Sequence, residues 1–340
     1  MNYNEFSSSA LIILNDKPNT RAKLDTGTHC NYRCSFCYYQ NKLDEITGFD
    51  SIKERARRLF DFGMDEIDLS GGESSIHRNW FDILDYCKKL GFKNISSLTN
   101  GSKFADKDFL RKSQEHGLNE LLFSLHGWDE ASHVQVVRTK GSFERIIQAI
   151  HNSKEMGIKV RLNCTVTGLN APHLIKYANL VNRLDPLQLN FLPLNFWDDA
   201  EKILAEKYEI LSEGIKGAID NLNPRIEINV RYIPYCFMKG YEKYVVGIYQ
   251  HIFDPGDWNI IAYDVNKLPS KKPDVSDYFL HAKKQRIYSY TKKSECYRCR
   301  YFNICDGIEH KLKMSQDVYP FEGEKLNDVL YFRRGYYPSC

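Results

Sequence analysis

The 340-residue sequence predicts an α/β protein built as a partial parallel barrel with a cysteine-rich extension at its C-terminal end. Segments typical of strands and helices alternate with a repeat of about 25–35 residues, which is the pattern of βα units. A glycine follows each of four predicted helices, as a left-handed helix C-cap requires: Gly63, Gly91, Gly117 and Gly157. We therefore predict a partial (β/α)6 TIM-like barrel.

The first predicted strand is Ala22–Gly27, after a short polar and turn-rich lead-in. The other strand candidates are 65–70, 93–98, 120–126, 159–166, 187–193 and 226–232. The helix candidates are 51–62, 78–90, 106–116, 142–156, 171–184 and 199–222. From about residue 224 the alternation stops, and residues 264–295 show no clear periodicity, so we expect that stretch to be irregular. The expected organisation is a lead-in at 1–21, the barrel at 22–223 and a cysteine-rich domain at 224–340.

Polar residues alternate with apolar ones inside the strands, which indicates what fills the barrel. In the strand 159–166, Arg161, Asn163 and Thr165 share one face, while Cys164 lies on the apolar face. Parallel strands that are buried on both sides normally read as continuous apolar runs. The polar set therefore predicts a solvated or ligand-filled lumen, and Cys164 is expected in the core.

Composition and charge exclude several classes of protein. The chain is 42% hydrophobic and 27% charged, and its net charge of +3 gives little reason to expect a nucleic-acid partner. It has neither an 18-residue apolar run nor a secretory signal, so we expect no membrane span and a cytoplasmic location. Ten cysteines in such a chain indicate metal chemistry more than disulfides.

The loop after the first strand carries three cysteines, Cys30, Cys34 and Cys37, at C-x3-C-x2-C spacing. Three thiolates leave one iron of a [4Fe–4S] cluster without a protein ligand, whereas electron-transfer clusters usually have four cysteines. An open iron indicates a site where a small molecule binds, and Phe36 and Tyr38 offer flat surfaces beside it. Zinc, the alternative, would need a fourth Cys or His at suitable spacing.

This loop resembles the signature of the radical S-adenosylmethionine (SAM) family, whose members cleave SAM reductively to a 5′-deoxyadenosyl radical. The resemblance implies that the three cysteines hold the cluster and that SAM binds the open iron through its amino and carboxyl groups. One βα unit later, Gly71-Gly72-Glu73 is similar to the family's motif for the SAM methionyl amine. Two glycines let the backbone approach a ligand closely, and the Glu73 carboxylate can take up an ammonium group.

Five further residues are candidates for cofactor binding. Thr99 and Asn100 follow the third strand, and Ser124 lies at the fourth. The resemblance implies positions near the SAM ribose or carboxylate. Arg161 and Asn163 are expected to reach the lumen from the fifth strand. Ordinary turn or strand-end hydrogen bonding is the alternative for these polar residues.

His126 is the candidate catalytic residue. It lies at the C-terminal end of a barrel strand, where active-site groups collect, and could move a proton for the substrate. A loop histidine that is hydrogen-bonded to the backbone is the alternative.

A second cysteine group, Cys296, Cys299 and Cys305, has C-x2-C-x5-C spacing and is followed by glycine. It resembles the auxiliary-cluster segment of SPASM and twitch-type radical SAM enzymes, which implies a second, auxiliary [4Fe–4S] cluster. Its fourth ligand is either Cys236, which we favour, or Cys340. A structural zinc site remains the alternative, because four thiolates also suit zinc.

The expected function is hydrogen abstraction from a substrate in the lumen, with electrons from an external flavodoxin- or ferredoxin-type donor. Only about 20 residues precede the first strand, too few for a leader-peptide recognition domain. We therefore favour a small molecule, such as a sugar, nucleoside or amino-acid derivative, over a peptide presented by a separate recognition protein. A non-catalytic iron–sulfur or zinc scaffold is the alternative from another class.

Overall fold

The computed structural model describes residues 17–39, 43–194, 206–262, 271, 274–310, 317–334 and 336. Within them, eight parallel strands form one sheet: β1 Arg21–Asp25, β2 Glu66–Ser70, β3 Asn94–Thr99, β4 Glu120–Ser124, β5 Lys159–Val166, β6 Gln188–Pro193, β7 Glu227–Val230 and β8 Ile260–Ala262. The sheet order is β7-β6-β5-β4-β3-β2-β1-β8, so β1 to β7 adjoin in chain order. This is a curled partial barrel, which confirms the predicted fold class.

Helices follow the strands as the sequence predicts: α1 Phe49–Asp61, α2 Trp80–Leu90, α3 Lys107–Glu115, α4 Glu130–Val137, α5 Ser142–Glu155, α6 Leu174–Leu184 and α7 Tyr208–Asn221. Residues 199–205 of the predicted last helix lie outside the described residues. Helix α4 was not expected. It is only eight residues long, and its start is fixed by a reciprocal capping box in which Asp129 accepts from the Ser132 amide.

The two faces of the strands divide core from lumen as their alternation predicts. On β5, Leu162 and Cys164 are fully buried in the hydrophobic core, while Arg161 and Asn163 point the other way into a polar lumen. The outer face packs against helices, and the inner face carries hydrogen-bonding side chains. The barrel is therefore lined for polar occupants and not packed with apolar ones.

The lower lumen, at the N-terminal ends of the strands, is filled by a buried ion cluster of Arg21, Asp68, Glu120 and Arg161. Arg21 Nη1 lies 2.7 Å from Asp68 Oδ1 and 2.9 Å from Glu120 Oε1, and Arg161 Nη2 lies 2.6 Å from Glu120 Oε1. Burial opposes the ionisation of Glu120, but the two arginines outweigh it and lower its pKa to about 2. The guanidinium of Arg161 thus takes part in this ion cluster, and its interpretation as a cofactor contact stays a prediction.

The loop 251–259 closes the gap between the edge strands β7 and β8. Asn229 of β7 donates to Asp254 Oδ2 at 3.0 Å, and Arg21 of β1 donates to the Pro255 carbonyl at 3.2 Å. Strand β8 was not predicted because its three residues lie in an aromatic-rich stretch without alternation. The sheet also continues past the expected domain boundary at 223, since β7 and β8 both follow it. The division into three domains remains a proposal.

The C-terminal part contains helix α8, Val275–Ser289, and a two-stranded antiparallel sheet of β9 Tyr290–Thr291 and β10 Ile308–Glu309. The expectation that 264–295 is irregular is wrong for α8. Its sequence has no clear apolar stripe, and its N-terminus is set by a capping box between Asp274 and Asp277. In the part of the chain that the structure describes, every helix is too short or too polar to span a bilayer.

Candidate active site

The cysteine loop follows β1 and presents its sulfur atoms to backbone amides. The Tyr32 amide lies 3.4 Å from Cys30 Sγ, and the Tyr39 amide lies 3.4 Å from Cys37 Sγ. A turn in which the Cys37 amide donates to the Cys34 carbonyl at 3.2 Å folds the second half of the loop. Amide donors directed at sulfur stabilise a thiolate, the form in which cysteine binds metal.

The three thiols are partly buried and lie near one another. Burial raises the pKa of Cys30 to about 11 and raises those of Cys34 and Cys37, and the charges of Cys30 and Cys37 raise that of Cys34 further. Without a cation the loop therefore favours neutral thiols. Because a bound metal group requires thiolates, loading it would release protons from these side chains.

Helix α4 and the end of β4 hold the middle of the loop. The Ser35 amide and hydroxyl both donate to the Val136 carbonyl, each at 2.9 Å. The Phe36 ring meets the His126 ring edge-on, with centroids 4.7 Å apart. Tyr38, predicted to flank the iron, is half exposed and packs on the next tyrosine along the chain. The unexpected helix α4 therefore helps to position the cysteines.

The Gly71-Gly72 turn packs against the backbone that enters the cysteine loop. The Gly72 amide donates to the Gly27 carbonyl at 2.8 Å, and the Glu73 amide donates to the His29 carbonyl at 2.7 Å. A Cβ on Gly71 would lie 2.0 Å from the Gly27 carbonyl oxygen, and a Cβ on Gly72 would lie 2.0 Å from that of His29. Both glycines are therefore required by close approach to this segment, and the turn supports the cysteine loop.

The Glu73 carboxylate is turned inward and is saturated with protein donors. It accepts from the Thr99 hydroxyl at 2.9 Å, from the Asn100 amide at 2.7 Å, and from both the amide and the hydroxyl of Ser75. Burial raises its pKa. Through these bonds Glu73 joins the glycine turn to the end of β3, while the uptake of an ammonium group by its carboxylate stays a prediction.

Asn100 is the candidate that reaches the cysteine loop directly. Its Nδ2 donates to Asn31 Oδ1 at 2.9 Å and lies 3.9 Å from Cys30 Sγ. Ser124, the last residue of β4, is the register partner of Asn163, which lies on the lumen face of β5 three residues before that strand ends. These three residues occupy the C-terminal edge of the sheet, as the sequence predicts, whereas Arg161 lies one step lower in the lumen.

His126 is buried and bonded to the backbone. Its Nδ1 accepts from the Thr165 amide at 3.0 Å, and burial lowers its pKa well below the usual range. An imidazole held in this way is neutral and has its acceptor nitrogen occupied. The structure therefore favours the alternative that the sequence left open and gives no support to a catalytic role for His126.

The second cysteine group also gathers in space. Cys236, Cys296, Cys299 and Cys305 line one pocket, with the Phe321 amide 3.4 Å from Cys299 Sγ. The preferred fourth candidate, Cys236, is thus beside the other three although some 60 residues separate it from them. Cys340 lies outside the described residues.

A buried lysine lines the same pocket. Lys292 donates to the Phe302 carbonyl, and its Nζ lies 4.1 Å from the Phe302 ring centroid. Burial and, to a smaller extent, the charge of Arg286 lower the pKa of Lys292 to about 7, against the opposing effect of Cys305 and other anionic groups. A cation at this position complements a bound group with thiolate ligands.

The two cysteine groups fit a cluster better than a single metal ion. Among the residues that the structure describes, no three His, Cys, Asp or Glu side chains are placed to hold a single metal ion. A four-iron cluster is larger than one ion. The sulfur-directed amides and the pocket shared by four cysteines fit a thiolate-bound cluster at each position.

Comparison with known proteins finds a family model that matches part of the chain. The family model described as "Radical SAM superfamily" matches residues 24–180, which include the cysteine loop and the glycine turn. This part of the chain matches the radical SAM family. As that family implies, its cofactors are a [4Fe–4S] cluster and SAM.

Two relatives, from Sulfolobus acidocaldarius and Saccharolobus islandicus, are each named "Probable GTP 3',8-cyclase". Each is 28% identical over 174 residues, which is 50% of this chain and 55% and 56% of the relatives. The chain thus spans only about half the length of these curated relatives.

Two solved structures are similar over most of the chain. Streptococcus suis SuiB bound to precursor peptide SuiA has a TM-score of 0.59 at 16% identity. The similarity covers 89% of this chain and 74% of the SuiB chain. Native anSMEcpe with bound AdoMet has a TM-score of 0.59 at 16% identity and covers 93% and 95%. At this identity the likeness shows the fold alone.

Sequence reasoning missed the charged residues of the upper lumen. Lys23 and Asp25 form one ion pair on β1 and Arg231 and Asp257 form another, and charges from both pairs act on Tyr232. One signal was available, because the buried strand β1 carries charged residues at every second position, Arg21 included. The sequence could not indicate that these two ion pairs lie near one another, since more than 200 residues separate the first pair from the second in the chain.

Proposed function

We propose that the protein is a radical SAM enzyme that abstracts hydrogen from a small molecule held in its lumen. One arrangement carries the proposal: the three-cysteine loop is packed on the glycine turn at the C-terminal edge of the sheet. When bound, the cluster supplies the electron that cleaves SAM to methionine and a 5′-deoxyadenosyl radical, which takes a hydrogen atom from the substrate.

The residues of this chain hold and orient the cofactors. Cys30, Cys34 and Cys37 would be the cluster ligands, with Asn100 donating towards the sulfur of Cys30. The glycine turn leaves its backbone beside the same loop, where a SAM amino group could donate to carbonyl oxygens. The role assigned to Glu73 is to keep this turn in place through its bonds to β3.

An auxiliary [4Fe–4S] cluster at Cys236, Cys296, Cys299 and Cys305 is the second part of the proposal. It is supported by the common pocket of the four cysteines, on whose wall the Lys292 amine would complement thiolate ligands when it is protonated. This cluster would accept an electron from the substrate radical or would hold the C-terminal part against the substrate. An external flavodoxin- or ferredoxin-type protein would supply the first electron.

Two observations support a small molecule. The inner faces of the strands are polar and charged, which suits a compact hydrogen-bonding substrate, and the curated relatives are named for a reaction of GTP. A peptide presented by a separate protein is the second candidate, because the structural neighbours include SuiB with a precursor peptide.

Anaerobic reconstitution tests the proposed activity. We expect Cys34→Ala to abolish the formation of 5′-deoxyadenosine from SAM and dithionite, and Cys87→Ala to retain it. Cys87 is a matched control, since it is buried in α2 away from both cysteine groups. Undiminished cleavage by a folded Cys34→Ala protein would refute the site.

A further inference from the structure

The pocket of the second cysteine group has a mostly apolar wall. Its lining comprises the four cysteines, one lysine and otherwise proline, aromatic, aliphatic and glycine residues. Among the described residues on this wall, Lys292 is therefore the one with a charged side chain, apart from the cysteines themselves. A charge in such surroundings acts strongly on its neighbours, because little polar material is present to screen it.

The small sheet of the C-terminal part places Lys292 at this pocket. Lys292 directly follows β9, and Thr291 of β9 is the register partner of Ile308 in β10. Gly307, with φ of 100°, allows the two segments to approach closely, since a Cβ there would lie 2.4 Å from the Thr291 carbonyl oxygen. The strand pairing therefore fixes Lys292 beside the chain that leaves Cys305.

The Lys292 amine is attached to the cysteine segment itself. It donates to the Phe302 carbonyl, and its Nζ lies 4.1 Å from the Phe302 ring centroid. The nearby cation Arg286 faces a carboxylate, because its Nε lies 3.2 Å from Asp306 Oδ1. The charge of Arg286 is thus compensated locally, whereas Lys292 presents its amine at the wall of the pocket.

A four-thiolate cluster and the Lys292 amine attract each other. Such a cluster is an anion, and its reduction adds one more negative charge. Burial, and to a smaller extent the charge of Arg286, lower the pKa of Lys292, while the charges of Cys305 and Cys296 raise it. Because cysteines bind a cluster as thiolates, a loaded pocket favours the ammonium form of Lys292.

We propose that the Lys292 ammonium group stabilises the reduced form of the auxiliary cluster and so raises its midpoint potential. A positive charge interacts more favourably with the more negative redox state, and net charge around a cluster is one of the factors that set its potential. A raised potential suits a cluster that accepts an electron, which is one of the two roles proposed for it. This inference rests on the proposed function, because it requires the auxiliary cluster.

The test is a potentiometric titration, followed by EPR, of the reconstituted full-length protein. Cys34→Ala, which lacks a ligand of the first cluster, identifies the signal of the auxiliary one. Lys292→Gln removes the charge but keeps a hydrogen-bond donor for the Phe302 carbonyl. We expect the ratio of reduced to oxidised auxiliary cluster at a fixed potential to fall at least tenfold in this variant, which is a shift of about 59 mV for a one-electron couple.

Two further variants separate the effect of charge from other effects. Lys292→Arg keeps the positive charge and should restore most of the wild-type potential. Lys325→Gln is the matched control, since Lys325 Nζ lies 4.8 Å from the same Phe302 ring centroid, but its side chain is exposed and not part of the pocket wall. Its removal should change the potential little, because solvent screens an exposed charge. An unchanged potential in Lys292→Gln, or an equal fall in Lys292→Arg, would overturn the inference.

Iron content distinguishes a change in potential from a failure to bind the cluster. If Lys292→Gln binds too little iron, Lys292→Met provides a second uncharged variant of similar length. Loss of the auxiliary cluster from both would show that Lys292 has a structural role and would overturn the inference. A wild-type protein with only about four irons would refute the proposed auxiliary cluster as well. An unchanged potential in an uncharged variant with about eight irons would refute this inference alone.

Discussion

Replacing Glu120 by glutamine tests whether the lower lumen is held together by its buried charges. Its carboxylate accepts from Arg21 and from Asn94 Nδ2 at 2.8 Å, and it pairs with Arg161. Glutamine keeps the shape but removes the negative charge, so two buried guanidinium groups are left with Asp68 as their shared partner.

Two estimates of the stability lost on Glu120→Gln agree. Removing one partner of a buried ion pair destabilises a protein by about 3–5 kcal/mol. The fall of the Glu120 pKa from 4.5 to about 2 corresponds to about 3 kcal/mol of stability linked to its ionisation. We therefore expect Glu120→Gln to lower the free energy of unfolding by about 3 kcal/mol at neutral pH.

The depressed pKa also determines how the contribution of Glu120 to stability changes with pH. Because the pKa is depressed in the folded state, the contribution of Glu120 is complete above pH 4.5 and is lost as the pH falls towards 2. Urea denaturation of the iron-free protein, followed by circular dichroism, should show the difference between wild type and variant shrinking over this range. Glu155→Gln, at an exposed ion pair, is the control and should change little. A Glu120→Gln protein as stable as wild type at pH 7 would refute the reasoning.

Three further predictions concern the cysteine groups. Gly72→Ala should severely reduce iron loading at the first cluster, because its Cβ would collide with backbone oxygens. Gly48→Ala is the control and should load normally, since a Cβ there meets open space. Equal iron content in the two variants would contradict this prediction. Asn100→Leu should lower the midpoint potential of the first cluster by tens of millivolts, because a hydrogen bond to the sulfur of Cys30 is lost. A midpoint potential that is unchanged in a potentiometric titration followed by EPR would disprove this prediction. Cys305→Ala should lower bound iron from about eight to about four atoms per chain while Cys87→Ala does not, and iron analysis decides between them.

The barrel was predictable because its signals are local. Strand and helix alternation, and glycines such as Gly91 with φ of 103° after α2, depend on residues near one another in the chain. Helix α8 and strand β8 were missed for a related reason. The former lacks an apolar stripe, and the latter is only three residues long and pairs with β1 across most of the sequence.

The site was predictable in its ligand candidates and less so in its polar residues. Cysteine spacing indicates a metal group directly, and Cys236 was found because it follows the last predicted strand. Polarity alone could not distinguish residues directed at the cysteines, such as Asn100, from residues bonded to the protein itself, such as Glu73 and Arg161. That distinction depends on contacts between distant segments.

The most direct test of the account is to count iron and sulfide in the anaerobically reconstituted wild-type protein and to measure 5′-deoxyadenosine formed from SAM and dithionite in the same sample. The account predicts about eight irons per chain, as expected for two four-iron clusters, together with 5′-deoxyadenosine. A protein whose first cluster is loaded, but which forms no 5′-deoxyadenosine, would contradict the central claim and would favour a non-catalytic scaffold.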